Sequence, residues 1–211
     1  LVDGDIVSCF AQTEPGGGTD VAGIKTFAEK VGDEYVLNGR KTFISSGHEA
    51  DIAFVVAVTD KAKGTHGGIS MFVVDCHQPG WKVARRIHTM GGSQWAPSEI
   101  LLENVRTPAN HKIGQEGRGF ANASRFLSHG RLGMGASFVG LMRRSLDMSI
   151  DYAKKRVTFG EPLSNRQAVQ WMLVDGSIAH HASQLMVETA SADADAHPEK
   201  DNRKETSMVR V

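Results

Sequence analysis

The sequence predicts an α+β fold, an antiparallel β-barrel or sandwich domain followed by the antiparallel helices of an incomplete helical bundle. Residues 4 to about 110 carry short β-branched and aromatic runs separated by turn residues. From Gly119 the apolar residues recur at helical spacing instead. Strands and helices do not alternate, which argues against a Rossmann domain. The expected division is a β-domain over residues 1–112 and the opening helices of an α-helical domain over residues 113–211.

The stretch Cys9-Phe10-Ala11-Gln12-Thr13-Glu14-Pro15-Gly16-Gly17-Gly18-Thr19-Asp20 starts as a strand and ends in consecutive glycines beside hydroxyl and carboxylate residues. Backbone there can turn sharply and approach a ligand without an intervening Cβ. Residues 23–31 and 35–45 read as paired strands around Gly32-Asp33-Glu34, and Asn38-Gly39 predicts a bend or bulge in the second of them. Residues 52–58 are nearly continuously apolar and short, which predicts a strand covered on both faces. A polar loop over residues 61–68 precedes strands at 69–74, 81–87 and 99–102.

Leu132, Ala136, Val139, Leu146, Ile150, Ala153 and Val157 form the stripe of one long helix. Gly133, Gly135 and Gly140 each cost up to about 1 kcal/mol there relative to alanine, so close packing is the expected compensation. Glu161-Pro162 then breaks the chain, and Ser164-x-x-Gln167 has the form of a capping box opening a second helix. Ala168, Trp171, Met172, Ala179, Ala182 and Met186 are its expected stripe, followed by a charged linker over residues 193–204. Two such helices leave an apolar face uncovered, which calls for further helices or a partner subunit. Leu1 is no initiator and the last segment has no stop signal, so the chain reads as part of a longer protein.

Twenty-four basic and 24 acidic residues cancel, so no net field draws the chain to nucleic acid or an anionic membrane. Two cysteines make no disulfide framework, and no apolar run approaches the ~20 residues of a membrane span. A soluble intracellular protein in a reducing compartment is expected, cytoplasmic in a bacterium or mitochondrial or peroxisomal in a eukaryote. The nine histidines show no metal-ligand spacing, so no metal is expected. Neither a Gly-x-Ser-x-Gly elbow nor a phosphate loop occurs.

Several motifs in fixed order carry a family likeness. Thr13-Glu14-Pro15-Gly16-x-Gly18-Thr19-Asp20-Val21-Ala22-Gly23 is followed by Asn38-Gly39-x-Lys41-x-Phe43-Ile44-Ser45. Asn104-Val105-Arg106-x-Pro108, the run from Gly114 to Phe120, Arg156-x-x-Phe159-Gly160 and Gln167 come after. Together they span most of the chain, which resembles the central β-domain and first C-terminal helices of the acyl-CoA dehydrogenases.

That resemblance implies FAD as cofactor, contacted by Phe10, Gln12, Thr13, Thr19, Phe43, Ile44, Ser45, Arg156, Thr158, Phe159 and Gln167. Acyl-CoA would meet Thr19, Ser128 and Arg131. Phe43 stands where many members have tryptophan against the flavin, and Ser45 where many have threonine. Arg156 matches an arginine that reaches the FAD pyrophosphate from a neighbouring subunit, where a guanidinium fork suits phosphate oxygens. The plain readings stay beside these. Phe43 suits a strand core, Arg156 a helix C-terminus and Gln167 the capping box.

The resemblance further implies α,β-dehydrogenation of an acyl-CoA thioester to trans-2-enoyl-CoA, an electron acceptor such as an electron-transfer flavoprotein, and a homodimer or homotetramer. One branch of the family places a catalytic glutamate where this chain has Gly130, and others place it after residue 211, so no catalytic residue is assigned. Met90-Gly91-Gly92-Ser93-Gln94-Trp95 also departs from the family's Met-Gly-x-Arg-x-Ser. The alternatives are a non-catalytic FAD-binding or assembly module, or a related flavin oxidase acting on acyl-CoA or nitroalkanes.

Overall fold

The computed structural model describes residues 3–91, 96–200 and 202–210. The departure at residues 92–95 therefore lies outside the described residues. The chain divides into two compact units, Leu1–Ser124 and Arg125–Val211. The first holds β1 (Ser8–Ala11), β2 (Phe27–Val31), β3 (Glu34–Ile44), β4 (Ile52–Val58), β5 (Ile69–Asp75), β6 (Trp81–Arg86) and β7 (Ser98–Pro108).

These strands form a seven-stranded sheet in the order β1-β4-β2-β3-β7-β6, with β5 paired to β4. Pairing is antiparallel, including β4 with β5, except that β4 receives β1 in parallel from Ser8↔Ile52 to Ala11↔Val55 and touches β2 in parallel at Phe27↔Val58. Strand β4 is covered on both faces, as its composition predicts. Ala53, Val55 and Ala57 join one core cluster with Leu37, Phe72 and Ile100, while Val56 and Val58 join a second with Ile24, Ile69 and Ala123. Strand β6 closes one end of the sheet with Lys82, Arg85 and Arg86, charges that blunt pairing with other chains.

The β2–β3 hairpin closes through Gly32-Asp33, with Val31 opposite Glu34 and Gly32 at φ 60°. The predicted irregularity at Asn38-Gly39 is a register shift between Leu37 and Gly39, and a second shift follows between Lys41 and Ile44. Gly39 is required by proximity: a Cβ there would lie 2.7 Å from Thr26 Cα. Gly39→Ala is expected to destabilise this unit by about 1–3 kcal/mol through overpacking, read as a lower urea midpoint. Strand β7 runs to Pro108 rather than ending at Leu102, carrying Asn104 in a left-handed conformation at φ 57°. Both cysteines are free and buried.

Helix α1 (Gly119–Lys155) begins in the first unit and continues into the second, which also contains a hairpin of β8 (Val157–Thr158) and β9 (Glu161–Pro162), then α2 (Gln167–Ala196) and α3 (Arg203–Arg210). The capping-box expectation is corrected. Arg166 is the N-cap, no side chain caps it, and Ser164 lies in a 3-10 turn over Leu163–Asn165. Helix α2 also extends into the expected linker as far as Ala196, and Lys200 Nζ bonds Asp193 in its last turn at 2.7 Å. Of the three helix glycines only Gly135 is crowded, since a Cβ there would lie 3.2 Å from Val209 O and 3.3 Å from Val187 Cγ2. Gly133 and Gly140 face open space. The expected uncovered face is present: Trp171 is 62 % exposed and Met172 72 %. Among the described residues no helix is long and apolar enough to cross a membrane.

Candidate cofactor site

The backbone continues from β1 through Gln12 and Thr13 into a tight turn. Glu14 N–H donates to Gly17 O at 2.9 Å and Gly17 N–H donates back to Glu14 O at 3.1 Å. Pro15 and Gly16 occupy the middle of this turn, where a fixed φ and a missing side chain suit them. A Cβ on Gly17 would lie 3.1 Å from Asp20 O, whereas Gly16 has nothing within 4 Å. Beyond the turn Asp20 accepts from Ala22 N–H at 3.1 Å and caps a short 3-10 turn.

Strand β3 lies alongside. Thr42 N–H donates to Thr13 O at 2.9 Å, so the two predicted edges are neighbours. Lys41 is wholly buried beneath them. Its ammonium donates to Gln12 O at 3.0 Å, Glu14 Oε1 at 2.9 Å and Val56 O at 2.7 Å, which uses all its hydrogens. Glu14 is also buried, and its carboxylate accepts Lys25 N–H at 2.7 Å and Thr26 N–H at 2.9 Å. Burial opposes both charges. For Lys41 it prevails, pushing the pKa down to about 8 against the pull of Glu14, so the group stays protonated at neutral pH. For Glu14 it is outweighed by Lys41, Thr26 and Lys25, which hold the carboxyl below its ordinary value.

The second register shift of β3 sets the side chains that follow. Lys41 just before it and Thr42 within it are both buried, Phe43 takes φ 57° and is 62 % exposed, and Ile44 is buried again. A strand-core role for Phe43 is thereby excluded in this unit. Ser45 is exposed beside it, while the Ile44 side chain belongs to the core and leaves only its main chain available. Phe10 is half-buried against the cluster around Val56. Gln12 is buried with Oε1 lacking a hydrogen-bond partner, Thr13 is half-buried and Thr19 exposed.

The second unit gathers another set of predicted residues. Phe159 and Gly160, at φ 52° and 80°, make the two-residue turn between Thr158 and Glu161. Phe159 is 98 % exposed at its tip. Arg166 Nη2 donates to Thr158 O at 3.0 Å and its guanidinium lies 6.0 Å from the Phe159 ring centroid. Arg156 is exposed, with its N–H bonded to Tyr152 O at 2.8 Å, and Gln167 is exposed at the first residue of α2. Ser128 and Arg131, half-buried on α1, share a face through their i,i+3 spacing. Gly130 between them has nothing within 4 Å of a Cβ position.

Sequence reasoning assigned no role to Lys41 or Glu14. Both lie inside the quoted motifs, but a charged residue in a strand reads as solvated, and only the fold shows that they meet in the interior.

The family model described as "Acyl-CoA dehydrogenase, middle domain" matches residues 9–105, and that described as "Acyl-CoA dehydrogenase, C-terminal domain" matches residues 117–211. The chain is 39% identical over 210 residues to the caffeyl-CoA reductase-Etf complex subunit CarC of Acetobacterium woodii, covering 100% of this chain and 55% of that one. It is 38% identical over 192 residues to the short-chain specific acyl-CoA dehydrogenase of Megasphaera elsdenii, covering 90% and 50%. The butyryl-CoA dehydrogenase structure from Megasphaera elsdenii superposes with a TM-score of 0.93 at 34% identity, over 99% of this chain and 54% of that one. The chain thus spans about half the length of the relatives it matches.

Proposed function

The chain belongs to the acyl-CoA dehydrogenase family, and from that premise we propose that it forms part of an FAD-dependent enzyme that converts an acyl-CoA thioester to the trans-2-enoyl-CoA. The observation that carries the FAD site is Phe43. A bulky residue in the left-handed region is strained, and an aromatic residue 62 % exposed recovers little of that cost by burial in this unit. A flat ligand against the ring supplies the missing contact. Phe159 repeats the combination of positive φ and exposure, and proposed second contacts gather around its turn.

The remaining residues fit the same group. Thr13 and Ser45 offer hydroxyls, Gln12 Oε1 is buried without a partner, and the Gly16 turn leaves room beside them. Phe10, Gln12, Thr13, Thr19, Phe43, Ile44 through its main chain, and Ser45 are the proposed contacts from the β-unit. Arg156, Thr158, Phe159 and Gln167 are those of the helical unit, with Arg156 reaching the pyrophosphate of a neighbouring subunit's FAD. Thr19, Ser128 and Arg131 are assigned to acyl-CoA. The chemistry that FAD supplies when bound is acceptance of the substrate's β-hydrogen as hydride. This chain's part is to hold the ring in a fixed orientation, with preorganised donors at its polar edge and little water around it. A homo-oligomer and an electron-transfer flavoprotein as electron acceptor complete the proposal, the latter in keeping with a relative named for an Etf complex.

The relatives above are named as dehydrogenases and a reductase, which supports an enzyme over an assembly module. The test is spectroscopic. Purified full-length protein is expected to show oxidised-flavin absorption that bleaches on addition of an acyl-CoA. A colourless protein unaltered by added FAD would sink the reading.

A further inference from the structure

We infer that Lys41, ion-paired with Glu14, is a positioning residue of the cofactor site: by bonding Gln12 O it polarises the Gln12–Thr13 peptide and strengthens the Thr13 N–H as a donor toward the flavin's polar edge. The inference rests on the FAD reading above and deepens it.

The ammonium joins three places in the chain. It sits on β3, bonds Gln12 O at the end of β1 at 3.0 Å, and bonds Val56 O on β4 at 2.7 Å. Its counterion Glu14 belongs to the glycine turn itself and is clamped by the N–H groups of Lys25 and Thr26. Such a pair is a poor stability device, because desolvating both charges offsets much of their attraction and apolar replacements often do as well. Its placement is informative instead. The Gln12–Thr13 peptide bond is trans, so the Gln12 C=O and the Thr13 N–H of this unit point in opposite directions. With the carbonyl fixed on a buried cation, that N–H is aimed away from Lys41.

A cation on the carbonyl of a peptide withdraws electron density and makes its N–H a better donor, an effect enlarged by low local dielectric. The Thr13 carbonyl is fixed in turn by Thr42 N–H at 2.9 Å, so the donor does not have to reorganise. A flavin gains negative charge on reduction. The strengthened donor therefore favours reduced over oxidised FAD.

The experiment compares wild-type full-length protein with Lys41→Met/Glu14→Gln, which removes both charges together. Melting temperature, FAD dissociation constant and flavin midpoint potential are measured. The double variant is expected to bind FAD, with the affinity ratio of reduced to oxidised FAD lowered about tenfold. That corresponds to a midpoint potential about 30 mV lower for a two-electron couple. Lys41→Arg, which keeps the cation, is expected to restore most of the potential. If the double variant does not fold, Lys41→Gln/Glu14→Gln, which also removes both charges but keeps a neutral donor near Gln12 O, is read in the same way. An FAD-bound neutral variant with a lower melting temperature but an unchanged potential shows a purely structural pair and overturns the inference. A wild-type protein that binds no FAD overturns the flavin reading itself and the inference with it.

Discussion

Lys41→Met, with Glu14 left in place, is expected to destabilise the β-unit by about 3–5 kcal/mol, the usual cost of breaking a buried ion pair by removing one partner. The variant strands a carboxylate that is 7 % exposed and leaves Gln12 O and Val56 O without their donor. Urea denaturation reads the loss, and adding Glu14→Gln should recover a large part of it because the stranded charge is then gone. The same pair sets an acid limb. Glu14 is held below its ordinary pKa, so its contribution to stability is present above the unfolded value of about 4.3 and is lost as pH falls through the folded one. The double variant is expected to have a flatter stability profile in that range. An equally steep profile would show that other carboxylates govern acid unfolding.

Phe43→Gly should separate stability from binding. Glycine accepts φ 57° without the cost of about 1–2 kcal/mol that the left-handed region imposes on other residues, though it adds freedom to the unfolded chain. These terms oppose each other, so the urea midpoint without FAD should move little. The affinity for FAD should fall roughly tenfold or more, since an aromatic contact contributes about 0.5–1.5 kcal/mol beyond the area it buries and 1.4 kcal/mol is a factor of ten. Titration of flavin fluorescence measures it. A large loss of stability with undiminished affinity would return Phe43 to the role of an ordinary packing residue.

Much of the fold could be read from local signals. The two-sided burial of β4 follows from its unbroken apolar run, and the β2–β3 hairpin from Gly32-Asp33. The irregularity opposite Asn38-Gly39 was equally visible, though not that β7 carries its extra residue, nor the approach of Thr26 that requires Gly39. What failed depended on distant partners or on local conformations that residue spacing does not fix. Nothing within residues 8–11 reveals a parallel partner at residues 52–55. The capping box had the right spacing, but residues 163–165 take a 3-10 turn that delays the helix to Gln167. Residues 193–196 looked like linker because their alternating aspartates mask a helical stretch, one of them paired with Lys200. At the site, the edges carrying Thr13 and Phe43 were placed together from motifs alone. The buried Lys41 that ties those edges from behind was not, because strand alternation turns only one of two neighbours inward, whereas residues 41 and 42 are both buried where the register breaks.

That shift gives the length of β3 a meaning of its own. Between Lys41 and Ile44 the strand carries surplus backbone that the ladder with β7 does not absorb, and the surplus turns one ring outward while returning the next side chain to the interior. Deleting a single residue there would restore simple alternation and leave no position free to swing out of line. Sequence drift could exchange the aromatic for a larger one with little disturbance, but a change in spacing would erase the platform altogether.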